Sequence, residues 1–170
     1  NKTNVVSDGD TLKLANQYTT GGTGDDRVMN FTGIHDDATA QGTYKVTEDI
    51  GATSAGTLTL NGELSSSGDR SVIDFDGHSG FELNNDNAIV TINDMEITGA
   101  TALTSADGTS TNNKLVLNNV NIHDNGTGIT TFGDIDIKGN STISDDIIVL
   151  GGNSTVDVDG TDEVTLDSTM

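Results

Sequence analysis

Acids dominate the residues that could do chemistry in this 170-residue chain. They occur as neighbours at Asp25/Asp26, Asp36/Asp37 and Asp145/Asp146. Two carboxylates roughly 5–9 Å apart are what glycoside hydrolysis requires. Arginine stands at Arg27 and Arg70, and either could act as base beside acids that hold a cation. His35, His78 and His123 each sit beside acids or glycine. A zinc site would need two or three of them to converge, and their wide separation reads instead as solvated corner residues. Residues 21–29 (GGTGDDRVM) match the nonapeptide of calcium-binding β-rolls. In that pattern Gly21, Gly22 and Gly24 free backbone carbonyls for a hard cation, Asp26 supplies charge, and Val28 points inward. Such a site is shared between stacked copies, and the chain carries one copy. The competing reading is a Gly-rich surface turn. No catalytic residue is assigned.

The elements that must position these residues repeat. Four lines share one grammar: AIVTINDMEITG (88–99), NKLVLNNVNIHDN (113–125), GDIDIKGNSTISD (133–145) and STVDVDGTDEVTL (154–166). In each, two residues alternate with polar ones, a short Asn/Asp/Gly/Lys corner follows, and a second alternating pair comes after it. The first pairs are Val90/Ile92, Leu115/Leu117, Ile135/Ile137 and Val156/Val158. The second are Met95/Ile97, Val120/Ile122, Ser141/Ile143 and Val164/Leu166. Ile92, Leu117, Ile137 and Val158 lie roughly 20–25 residues apart, the spacing of one solenoid turn per repeat.

Strict alternation sends one side chain inward and the next outward. One such line cannot bury its inward face alone. Stacking the next line at about 4.8 Å closes a continuous core and pairs the backbone groups between layers. The expected class is all-β: a parallel β-solenoid of roughly seven to eight coils, if each coil takes about 20–25 residues. Residues 1–170 read as a single β-helix domain or as a segment of a longer one. Residues 1–56 form irregular coils, and 57–166 the regular repeat. Residues 98–113 are the longest insertion in the repeat, which makes Thr104, Asp107, Thr109 and Thr111 candidate exposed binding residues. Corner asparagines Asn93, Asn118, Asn119 and Asn140 are expected to stack into a side-chain ladder.

Composition narrows the partners. Seven basic residues stand against 27 acidic ones, for a formal charge of −20. That field repels nucleic acid and anionic membranes and attracts cations, calcium included. Proline and cysteine are both absent. Absence of proline suits a chain whose backbone N–H groups nearly all join a ladder. Absence of cysteine excludes a disulfide scaffold and a thiolate metal site. No apolar run is long enough to span a membrane and residues 1–170 read as containing no signal peptide, so membrane insertion by this segment is not expected. The chain opens on Asn1 and closes at Met170 just after a strand pattern, which reads as a segment of a longer or processed protein needing a cap over Leu166.

Residues 71–100 (SVIDFDGHSGFELNNDNAIVTINDMEITGA) resemble the "I-D-G-…-G-F-x-L-…-T-x-x-I-x-x-M-x-I" unit of bacterial adhesin-like surface proteins. These are β-helix proteins of the autotransporter or filamentous-haemagglutinin-like type. Residues 53–64 (TSAGTLTLNGEL) and 139–160 (GNSTISDDIIVLGGNSTVDVDG) resemble further lines of the same proteins, and the similarity covers most of 43–166. The resemblance implies a right-handed parallel β-helix displayed outside a bacterial cell. The functional expectation is a non-enzymatic extracellular adhesin-like segment mediating cell-surface attachment or self-association. Its partners would be host or neighbouring cell-surface molecules, glycans among them, or further copies joined end to end or laterally. No cofactor is expected, calcium excepted. The alternatives are a secreted β-helix polysaccharide lyase or glycoside hydrolase, and a self-assembling extracellular fibre subunit.

Overall fold

Parallel stacking of the repeated lines is what the computed structural model contains. It describes residues 2–6, 11–12, 26–31, 43–52, 55–151, 154–159 and 163–167. In chain order the strands are β1 (Lys2–Val6) and β2 (Thr11–Leu12); then β3 (Asp26–Phe31), β4 (Thr43–Val46) and β5 (Gly51–Ala52); then β6 (Gly56–Asn61), β7 (Ser71–Asp74) and β8 (Phe81–Glu82). They continue as β9 (Ala88–Asn93), β10 (Met95–Thr98) and β11 (Thr104–Ser105); β12 (Lys114–Asn118), β13 (Asn121–Ile122) and β14 (Ile129–Thr131); β15 (Asp134–Lys138), β16 (Ser141–Ile143) and β17 (Ile147–Val149); and last β18 (Val156–Val158) and β19 (Val164–Leu166). The first sheet has the order β1-β3-β6-β9-β12-β15-β18 and the second β2-β4-β7-β10-β13-β16-β19. The third has the order β5-β8-β11-β14-β17. Neighbours in all three pair in parallel, and no helix occurs among the described residues. The fold is a parallel β-solenoid.

The register is the one the sequence lines imply. Val90, Leu115, Ile135 and Val156 stand in one column of the first sheet, and Ile92, Leu117, Ile137 and Val158 in the next. All are buried except those of β18, where Val156 is partly exposed and Val158 exposed. In the second sheet Ile97, Ile122, Ile143 and Leu166 stack likewise. Burying each such side chain contributes about 1.5–3 kcal/mol, so a few columns suffice for a thin core. The aromatic residues of the earlier strands join it: Phe31 meets Tyr44 edge-on at 5.0 Å, and Phe75 meets Phe81 at 6.1 Å. One inward polar residue, Ser141, shows how such a group is accommodated. Ser141 Oγ donates to Lys138 O and accepts from the Val120 N–H, so it substitutes for an apolar residue in the Val120/Val164 column without an orphaned group.

The two-strand reading of the lines was incomplete, because in five coils of the described residues a third strand closes the turn. Its members are two or three residues long, too short for alternation to register as a pattern. They are held by stacking: Thr104 pairs with Phe81 on one side and Ile129 on the other, and Ile129 pairs with Ile147. This corrects the reading of 98–113 as an outlying insertion. Ala100, Leu103, Thr104 and Ser110 from that stretch are buried, because it carries β11 across the core. Inward Ile137 is fully buried, whereas outward Thr142 is partly exposed between Asn121 and Thr165. Ile137→Ala is expected to cost about 2–5 kcal/mol, the loss from a core cavity. Thr142→Ala should stay within about 0.5 kcal/mol. Urea unfolding of the two variants checks the register, and equal midpoints would contradict it.

Candidate binding surface

Corners decide which side chains reach the surface. Between the first and second sheets the corner backbone turns through the left-handed region at Asp94 (φ 58°), Asn119 (φ 56°) and Gly139 (φ 69°). Asn and Asp tolerate that conformation better than other side-chain-bearing residues. Interlayer hydrogen bonds continue through the bend. The Gly62 N–H donates to Asn93 O at 2.8 Å, Asp94 to Asn118 O at 3.0 Å, and Asn119 to Lys138 O at 3.0 Å. Just before it runs the expected asparagine ladder. Asn61 Nδ2 donates to Asn30 Oδ1 at 2.9 Å, Asn93 to Asn61 at 2.9 Å, and Asn118 to Asn93 at 3.2 Å. Asn93 and Asn118 are therefore ladder members as expected, joined by Asn30 and Asn61. Asn119 instead donates to Asp94 Oδ1 at 2.8 Å. Asn140 contributes its backbone carbonyl to Arg70.

The arginines are structural. Arg27 is 1% exposed and lies in register with Leu58, facing the core. Arg70 Nε donates to Asn119 O at 2.7 Å, while Nη2 reaches Asn119 Oδ1 at 3.2 Å and Asn140 O at 2.6 Å. It ties its own layer to the carbonyls of two others, with no carboxylate among these partners. Asp145, weighed as half of a catalytic pair, accepts from the Asn125 N–H (3.1 Å) and from Asn125 Nδ2 (2.7 Å). Asn125 also donates to Ile97 O and His123 O and accepts from the Ala100 N–H, and it is fully buried. Its N-x-S/T sequon is thereby closed to modification in the folded chain.

Val28 is not the inward residue of its strand. Arg27, Met29 and Phe31 are buried, and Asp26 and Val28 face the other way. The physical reason is register: Met29 pairs with Leu60 and Arg27 with Leu58, both inward. Asp26 is exposed at the start of β3, while Gly21, Gly22 and Gly24 lie outside the described residues, as do Asp25, His35, Asp36 and Asp37. Of the four candidate binding residues, Thr104 is corrected. It is 0% exposed and its Oγ1 donates to Thr130 O at 2.9 Å, because an inward position in β11 leaves it no access to solvent. Asp107 is exposed and closes a turn, accepting from the Thr109 and Ser110 N–H groups at 2.9 and 3.0 Å. Those backbone donors hold its carboxyl below the usual carboxylate range. Thr109 and Thr111 are exposed, and the Thr111 N–H donates to Asp86 Oδ1.

Two surface features had no clear signal in the sequence. The outward side of β6, β9 and β12 presents Thr57 and Thr59, Ile89 and Thr91, and Lys114 and Val116, with the Asn ladder alongside. The outward residues of this patch include no carboxylate, but Asp26 of β3 stands beside Thr57. On the other side Asp134 and Asp136 follow on β15, with Asp136 Oδ2 3.9 Å from Lys114 Nζ, and Asp157 on β18. Alternation could have found it, had the outward residues been read down the column. The second feature is a cavity of about 350 Å³ at the corner between the third and first sheets. Thr111–Asn113, Phe132–Asp134, Gly151 and Ser154 line it. Three successive layers build it: the chain ahead of β12, ahead of β15 and ahead of β18. Gly133 is required there, since a Cβ would sit 1.7 Å from Asn113 O.

The sequence matches no family model, and neither a curated protein nor a solved structure matches it.

His123 links layers at the opposite side of the bend. Its Nε2 lies 2.7 Å from Glu96 Oε1 and its Nδ1 2.7 Å from Asp124 Oδ2. The Asp124 hydrogen bond, opposed by partial burial and aided by Glu96, raises its pKa above the usual 6.5. Because the folded pKa is the higher one, this stabilisation is fully present below pH 6.5 and is lost as pH rises through the folded value. The melting temperature of wild type relative to His123→Gln should therefore fall as pH is raised from 6 to 8. A difference that grows over that range would contradict the assignment.

Proposed function

We propose that this chain is a non-enzymatic, extracellular, adhesin-like β-helix segment of a bacterial surface protein, acting through attachment to other surfaces or to further copies. The observation that carries the reading is the carboxylate-free patch over β6, β9 and β12 in a chain of net charge −20. A strongly acidic molecule repels most biological surfaces, and long-range repulsion slows encounter. A strip of threonine, isoleucine, valine, asparagine and one lysine, Lys114, is where another surface approaches with least repulsion. Contacts of that kind are individually weak and sum over an extended face. The fold serves extension, since each layer adds length without altering the one below.

The engagement of Arg70 with backbone carbonyls and the burial of Arg27 favour this reading over a lyase with an arginine base. Among the described residues of the cavity lining there is a single carboxylate, Asp134, whereas glycoside hydrolysis uses two. Calcium enters as a diffuse counter-ion of the acidic surface, since the register of β3 does not give the turn before it the inward valine of the nonapeptide. Beads coated with the chain are expected to cluster or to bind cells. Thr91→Glu, which puts a carboxylate at the centre of the patch, should lower that binding several-fold with an unchanged melting temperature. Incubation with acidic or neutral polysaccharides should release no product. Release that stops with one substitution would overturn the proposal and promote the enzyme alternative.

A further inference from the structure

The corner cavity has the chemistry of a saccharide subsite. Phe31, Phe75 and Phe81 are buried in the core, whereas Phe132 is partly exposed and lines the cavity. Aromatic surface at a cavity wall is what the apolar C–H face of a sugar ring stacks against, as part of the mix of aromatic and placed polar groups that small-ligand sites use. Around it stand groups suited to hydroxyls: the Thr111 hydroxyl, the Asn112 amide and the Asp134 carboxylate. Asp134 is fixed rather than loose, because its Oδ1 accepts from the Thr155 N–H at 2.9 Å and lies 3.3 Å from Thr155 Oγ1. Ser154 is held by Phe132 O through its Oγ, which ties the β18 side of the cavity to the β15 side. Asn113 is committed elsewhere, donating to Leu83 O and accepting from the Ala88 N–H. It acts as a rigid floor. Backbone from three stacked layers therefore presets the walls before any ligand arrives.

We propose that this corner binds one residue of a neutral glycan, with Phe132 against the ring face and Asp134, Asn112 and Thr111 on its hydroxyls. The volume of about 350 Å³ sits at the small end of ligand sites, which suits a single sugar unit and not a long chain segment. Charge decides against an acidic sugar. The described residues of the lining include a carboxylate and no cationic side chain, in a chain of net charge −20. The proposal rests on the attachment reading, to which it gives a ligand class, and it fails separately from it.

Saturation-transfer NMR on the full chain tests it, with methyl glycosides of glucose, galactose, mannose and N-acetylglucosamine as neutral probes and N-acetylneuraminic acid as the anionic one. Transfer to at least one neutral glycoside is expected, and none to the acid. Phe132→Leu keeps an apolar side chain but loses the ring, and it should cut the transfer at least fivefold. Asn112→Gly removes the amide while preserving the left-handed backbone there (φ 57°), so it decides the matter even where the phenylalanine variant does not fold. It too should weaken binding severalfold. Absence of transfer to every neutral probe, equal transfer in wild type and Asn112→Gly, or preference for the anionic sugar would each overturn the subsite. Sugar binding without bead or cell attachment would uphold the subsite and overturn the attachment reading. Attachment without sugar binding would do the reverse.

Discussion

Every backbone amide in a stacked solenoid has to find its partner in the layer above or below, and the corners are where that is hardest. A strand does it by default; a bend breaks the ladder unless the turning residue adopts the same conformation in each layer. This chain meets the requirement with Asp94, Asn119 and Gly139 at one bend and with Asn87 and Asn112 at another, all at positive φ. Where their geometry repeats, hydrogen bonds run through the bend from layer to layer, and the asparagine ladder from Asn30 to Asn118 rides on that repetition. The thin core then follows, because constant corners keep the inward columns in register.

Interlayer constraint also sorts polar residues into structural and available ones. Asn125, Asp145, Asn113 and Arg70 look like functional groups in a list of residues, yet each is held by backbone or side-chain atoms of another layer. Among what remains outward are the face over β6, β9 and β12 and the rim of the Phe132 corner. Both features arise from stacking equivalent positions. Neither belongs to any single repeat.

Much of the fold was legible because alternation is a direct physical signal. The columns through Ile137 and Ile143 follow from period two and from the spacing of the lines. The third sheet was not legible, since strands as short as Thr104–Ser105 draw their identity from neighbours and not from their own pattern. That gap misplaced Thr104, which reads as an exposed loop threonine and is a core residue. Val28 was misplaced for a related reason. The calcium-turn motif suggested one parity, and pairing of Met29 with Leu60 imposed the other. Of the residues lining the Phe132 corner, the sequence singled out Thr111 alone, as an exposed insertion residue, while Phe132 and Asp134 were hidden because the residues meeting there lie about one turn apart.

Amide hydrogen exchange at the corners tests the central claim, that interlayer bonding through the bends sets the register of the whole chain. The N–H groups of Gly62, Asp94 and Asn119 should exchange as slowly as those of the strands beside them, and they should be released together with those strands in mild denaturant. Fast exchange at all three, with the flanking strands still protected, would mean that the bends are passive loops and would contradict the account.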